Sequence, residues 1–81
     1  MENGEATLWD LPIGKWAQVS QVDAHCALFS RLLDIGLIPG TRVTCLQKSP
    51  SGDPRAYLIR GAVIALRSED ASQSLIGPAH Q

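Results

Sequence analysis

Charge of either sign is scarce and balanced in this chain, with seven Lys/Arg against eight Asp/Glu and a formal net charge of −1 over 81 residues. A nucleic-acid binder carries a basic stripe that neutralises phosphates, and so few scattered cations do not assemble one. No apolar run approaches the roughly 20 residues of a membrane-spanning helix, so no membrane insertion is expected. The first residues, Met-Glu-Asn-Gly-Glu, are acidic and lack the apolar centre of a signal peptide, which predicts a cytoplasmic protein. Cysteine is limited to Cys26 and Cys45, and in that setting both read as free thiols. Aromatic residues make up only 5% of the chain, yet 44% is hydrophobic and 19% charged, a composition that folds rather than stays disordered. One domain of this size buries roughly 60% of the surface its unfolded chain exposes, so its core is small.

What is present is organised around Arg31 to Val43. Leu28, Phe29, Leu32 and Leu33 line one side of a helix, with Ser30, Arg31 and Asp34 on the other. Asp23 suits the N-cap of that helix, which is predicted over Ala24 to Ile35. Gly36 stands where a helix ends in a left-handed residue, and Pro39-Gly40 fits the centre of a type II turn. A short helix is thereby docked onto a sheet with little slack.

Around it the pattern is β. Strands are predicted over Lys15–Val22, Thr41–Lys48, Ala56–Arg60, Ala62–Leu66 and Ser74–Ile76. In the first, Ala17 and Val19 share a face; in the second, Val43 and Cys45 face inward. Thr7 and Asp10 form a weak capping box, so Thr7–Leu11 reads as a single helical turn that tucks Leu8 and Leu11 against the body. Gly14, Gly36, Gly40 and Gly61 are placed as structural turn residues, and Ser49 to Pro54 as a loop. Ser68 reads as the cap of a one- or two-turn helix. Residues 1–6 and 77–81 are expected to be flexible tails around a domain at 7–76. Five short strands and one inserted helix suit a small, partly open SH3-like barrel, because closure removes exposed sheet edges. An OB-type barrel is the competing arrangement.

Chemistry is hard to assemble from these residues. A transition-metal site needs three or four converging ligands, and the neighbours His25 and Cys26 point about 100° apart on a helix. No nucleophile, base and orienting group fall together, and no glycine-rich loop leads into a helix as a phosphate cradle requires. No catalytic role, metal or cofactor is therefore expected. Binding remains. Arg31, Leu32, Leu37, Pro39, Pro50, Pro54 and Arg60 are the candidate partner-binding residues, since loop residues on a rigid scaffold carry contacts. The structural alternative is that Leu32 and Leu37 are core and that Arg31 pairs with Asp34. Trp9 and Trp16 are usable at an interface, with one of the two expected in the core.

Four pieces of sequence occur in a particular order: Leu8-x-x-Leu11-x-x-Gly14; Arg31-Leu32-x-x-x-Gly36-Leu37-x-Pro39-Gly40-Thr41; Pro50-x-Gly52-Asp53-Pro54; and Arg60-Gly61-x-x-Ile64-Ala65-Leu66-Arg67. Together they resemble the FeoA family, small cytoplasmic proteins associated with ferrous iron uptake. The resemblance runs from about Thr7 to Ile76. It implies an SH3-like barrel and a role beside FeoB, a membrane permease with a cytoplasmic GTP-binding domain. On that reading the chain is a non-catalytic accessory protein that docks on the permease's cytoplasmic face and modulates GTP-linked transport. The alternative is a metal-responsive regulatory domain that binds a transition metal itself. Self-association is left open by the sequence.

Overall fold

The computed structural model describes residues 6–22 and 29–81. Six antiparallel strands form one sheet in the order β1-β6-β2-β3-β4-β5: β1 is Ala6–Thr7, β2 Trp16–Val22, β3 Arg42–Lys48, β4 Arg55–Ile59, β5 Ala62–Leu66 and β6 Ser74–Ile76. Two short helices, α1 (Phe29–Asp34) and α2 (Ser68–Ala71), and a 3-10 turn at Leu8–Asp10 complete the described residues. The N-cap expected at Asp23 and the first part of the expected helix, with His25 and Cys26, lie outside them.

The sheet bends because β2 serves two neighbours. Trp16–Gln18 pair with β3, whereas Val19–Val22 pair with β6, with an irregularity between Val19 and Gln21. A second irregularity interrupts the β3–β4 register between Cys45 and Gln47. Extra residues of this kind increase local twist and turn a flat sheet toward a barrel. The inward set follows the two-residue period of a strand: Ala17 and Val19, Val43 and Cys45, Tyr57 and Ile59 are all buried. Leu8 and Leu11, three residues apart, seal one end at 0% exposure. The capping box is present in a compact form, with the Thr7 amide and hydroxyl both donating to the Asp10 carboxylate at 2.9 and 3.1 Å.

The exit from α1 is a Schellman motif. The Leu37 N–H donates to the Leu32 carbonyl (3.0 Å) and the Gly36 N–H to the Leu33 carbonyl (3.0 Å). Gly36 has φ +102°, and Leu32 and Leu37 meet in the core as the motif's apolar pair. The Pro39-Gly40 turn follows, closed by the Thr41 N–H on the Ile38 carbonyl and anchored by the Gly40 N–H on the Val19 carbonyl at 2.7 Å.

Several boundaries differ from expectation. Arg60 is not the end of β4. It takes φ +52° beside Gly61 at φ +85°, the pair of left-handed residues that a two-residue hairpin requires. Ser68 is not a cap but the first residue of α2, because Arg67 precedes it in extended conformation without a side-chain cap bond. Asp53 supplies that function from the β3–β4 loop: its carboxylate accepts from the Ser68 N–H (3.2 Å) and hydroxyl (2.9 Å). The C-terminal residues, expected as a flexible tail, hydrogen-bond to β2 in the structure. Gly77 donates to the Gln18 carbonyl, and His80 exchanges two backbone hydrogen bonds with Trp16 (3.0 and 2.7 Å), continuing β6 along β2. At the other end, Ala6 pairs with Ile76 rather than belonging to a tail.

Candidate functional site

The candidate binding residues separate by burial. Leu32 and Leu37 are 1% and 0% exposed, so both are core and stand outside any docking surface. Arg31 and Pro54 come together. They line a cleft of about 410 Å³ with Ala65, Arg67, Glu69 and Asp70. Its position follows from local structure: Arg31 sits on the exposed side of α1, and Asp53 pins the loop carrying Pro54 to the start of α2. Pro39 and Pro50 are exposed at separate turns, and Arg60 is exposed beside Gly36, at the far end of α1. The four glycines expected at turns, Gly14, Gly36, Gly40 and Gly61, all have positive φ.

Neither tryptophan is fully buried, contrary to the expectation that one would be core. Trp9 packs against the core with the Arg55 guanidinium 4.2 Å from its ring, and Arg55 also donates to the Trp9 carbonyl at 2.7 Å. Trp16 lies between Arg42, 3.8 Å from the ring on the β3 side, and His80, stacked at 4.3 Å from β2's other neighbour. These contacts cross the chain, so no local sequence signal points to Arg55, Arg42 or His80.

Among the described residues no group of three His, Cys, Asp or Glu is placed to hold a metal ion. Burial pushes the Cys45 thiol upward. Burial first, then the neighbouring Cys45, pushes the Tyr57 phenol up to about 12. Its hydroxyl donates to the Leu8 carbonyl at 3.3 Å. Because the folded phenol holds its proton more tightly than the unfolded one, stability is fully present below about pH 10 and falls as pH rises from about 10 toward 12. The loss is at most about 2–3 kcal/mol. Tyr57 is the only tyrosine, so tyrosinate absorbance reads it alone. The expected midpoint is well above 10, and Tyr57→Phe should flatten most of the alkaline loss in melting temperature; a midpoint near 10 in the folded protein would contradict this.

The FeoA domain family matches residues 6–76. The chain belongs to the FeoA family. A solved FeoA-like protein from Clostridium acetobutylicum is 25% identical, with a TM-score of 0.86 over 94% of this chain and 88% of that one. FeoA from Stenotrophomonas maltophilia, solved with zinc and described as an SH3 domain protein, is 29% identical, with a TM-score of 0.78 over 88% of each chain. A curated Fe(2+) transport protein A/Fe(2+) transporter FeoB fusion protein from Porphyromonas gingivalis is 32% identical over 66 residues. That match takes 82% of this chain but only 8% of the relative. The SH3-like reading therefore holds for this FeoA domain, in a more open form than expected: among the described residues the sheet ends β1 and β5 are not paired. Closure comes instead from Arg55 and Tyr57 reaching across to the 3-10 turn.

Proposed function

We propose that this FeoA domain is a non-catalytic accessory of ferrous iron transport that docks on the cytoplasmic part of a FeoB-type permease and modulates its GTP-linked transport. The observation that carries this is the relative in which an FeoA segment and an Fe(2+) transporter are one polypeptide. In a separate chain, that association has to be made by a surface. The proposed surface is the cleft holding Arg31 and Pro54, extended to the exposed Pro39 and Pro50 turns. The elements that carry it, α1, the Asp53 loop and α2, are each held by backbone or carboxylate hydrogen bonds. Arg31 and Arg67 offer guanidinium forks for bidentate contact with partner carboxylates. Glu69 sets the opposite charge beside them, which favours a partner with a matching pattern over a plain acidic surface. The domain acts in the cytoplasm on this reading.

The test is retention of the purified chain by the immobilised cytoplasmic domain of the permease, with and without guanine nucleotide, at physiological salt. Wild type should be retained, and Arg31→Glu should lose retention while melting like wild type. No retention in any nucleotide state sinks the proposal.

A further inference from the structure

A second cleft, of about 400 Å³, opens between the 3-10 turn with its Pro12-Ile13 continuation and the paired ends of β3 and β4, Lys48 and Arg55. It shares no lining residue with the Arg31–Pro54 cleft. Lys48 and Arg55 are direct partners in the β3–β4 register. Directly opposed residues of an antiparallel pair carry their side chains on one face, with Cβ atoms about 5 Å apart, and like charges in that position repel. The chain does little to offset the pair. Asp10 is the one carboxylate lining this cleft among the described residues, and its Oδ2 already accepts from the Thr7 amide and hydroxyl. The Arg55 guanidinium is fixed from one side: the Trp9 ring lies 4.2 Å away and the Trp9 carbonyl accepts from Nη1 at 2.7 Å. Its Nε, shielded from solvent, has no acceptor. The facing wall is apolar, with Ile13 49% exposed and Pro12 exposed beside it.

We infer that this cleft binds an acidic segment of a partner protein, with one carboxylate seated between Lys48 and Arg55 and an apolar neighbour against Pro12 and Ile13. Two features choose that occupant. The first is charge complementarity. A carboxylate relieves the repulsion across the Lys48–Arg55 pair, and it meets a guanidinium that Trp9 already holds in place, so little side-chain freedom is lost on binding. The second is the apolar wall. A small inorganic anion leaves Ile13 in water, whereas a peptide that sets an apolar side chain beside its acid covers it. The chain as a whole carries a net charge of −1, so the attraction belongs to this cleft and not to a generally basic surface. Lys48 is exposed, so solvent and salt screen its share of the contact. Binding of a short segment is therefore weak, with a dissociation constant of about 0.1–1 mM.

The test titrates the nitrogen-labelled full chain with a short capped peptide that alternates leucine with glutamate, and follows the amides of Ile13, Lys48 and Arg55 with the Trp9 indole N–H. Saturable shifts should appear there and weaken as salt rises. The counterpart peptide with glutamine in place of glutamate should bind about tenfold more weakly or not at all. Lys48→Glu should lose the shifts by a similar factor while melting like wild type, and Lys48→Arg should keep them. Four results would overturn the inference: no saturable shift with the glutamate peptide, equal binding of the glutamine peptide, binding that Lys48→Glu leaves unchanged, or inorganic phosphate moving the same signals at the same concentration. A fifth is movement of these amides with chain concentration alone, which would make a second copy the occupant.

Discussion

Gly36→Val should destabilise this domain by about 2–4 kcal/mol, the sum of a backbone and a packing cost. Gly36 sits at φ +102°, beyond even the left-handed helical well, where a β-branched residue is strained. A Cβ there would also lie 2.6 Å from the Arg60 Cδ and 3.3 Å from the Ile59 Cγ2. The Arg60 side chain can swing aside, but Ile59 is core and cannot. The Schellman bonds from Gly36 and Leu37 would loosen with the turn, and Leu37 would be drawn from the core. For a domain of this size the melting temperature should drop by about 10 °C or more. Gly61→Ala is the control: φ is also positive, at +85°, but nothing lies within 4 Å of the added Cβ. It should cost only the backbone strain, about 1–2 kcal/mol. Equal losses in the two variants would show that the close approach of Arg60 and Ile59 to Gly36 is not felt.

Arg55→Ala should cost about 2–4 kcal/mol, because it removes a charge-assisted hydrogen bond and a cation–π interaction at once. Arg55 lies at the open rim of the core on the same face of β4 as Tyr57, and with it spans from β4 to the 3-10 turn. Removing the guanidinium strands the Trp9 carbonyl and uncovers its ring. Thermal melting measures the destabilisation, and tryptophan fluorescence should shift to the red as Trp9 meets water. Arg55→Lys should recover only part, since an ammonium can sit against the ring but lacks the planar fork. Melting within a degree or two of wild type for Arg55→Ala would mean the two ends of the sheet hold together by burial alone.

The two variants also mark where local sequence is informative. Gly36, the Pro39-Gly40 turn and the alternation of Val43 with Cys45 are legible because helix stops, turns and strand faces are set by residues a few positions apart. Five of the six strands fall within a residue or two of where the pattern places them. Arg55 is not legible, because its partner Trp9 is 46 positions away and nothing local distinguishes a structural arginine from a solvated one. The same holds for Asp53, which reads as a loop residue although it caps a helix that starts 15 positions later. The tail misleads for a related reason. Gly77 to Gln81 has no strand propensity of its own, and its contacts are with the free side of β2 and the Trp16 ring. Of the candidate binding residues, the leucines are recoverable as core from their spacing. That Arg31 and Pro54 share a cleft emerges only from the fold.

The most direct test is a titration of nitrogen-labelled chain with the unlabelled cytoplasmic domain of the permease, followed by amide shifts. Saturable changes should gather at Arg31, Gly40, Ser51, Asp53, Arg67 and Glu69, leaving the β2 and β6 amides in place. Shifts absent at saturating partner, or confined to the Trp16–His80 side of the sheet, would contradict docking through the Arg31–Pro54 cleft.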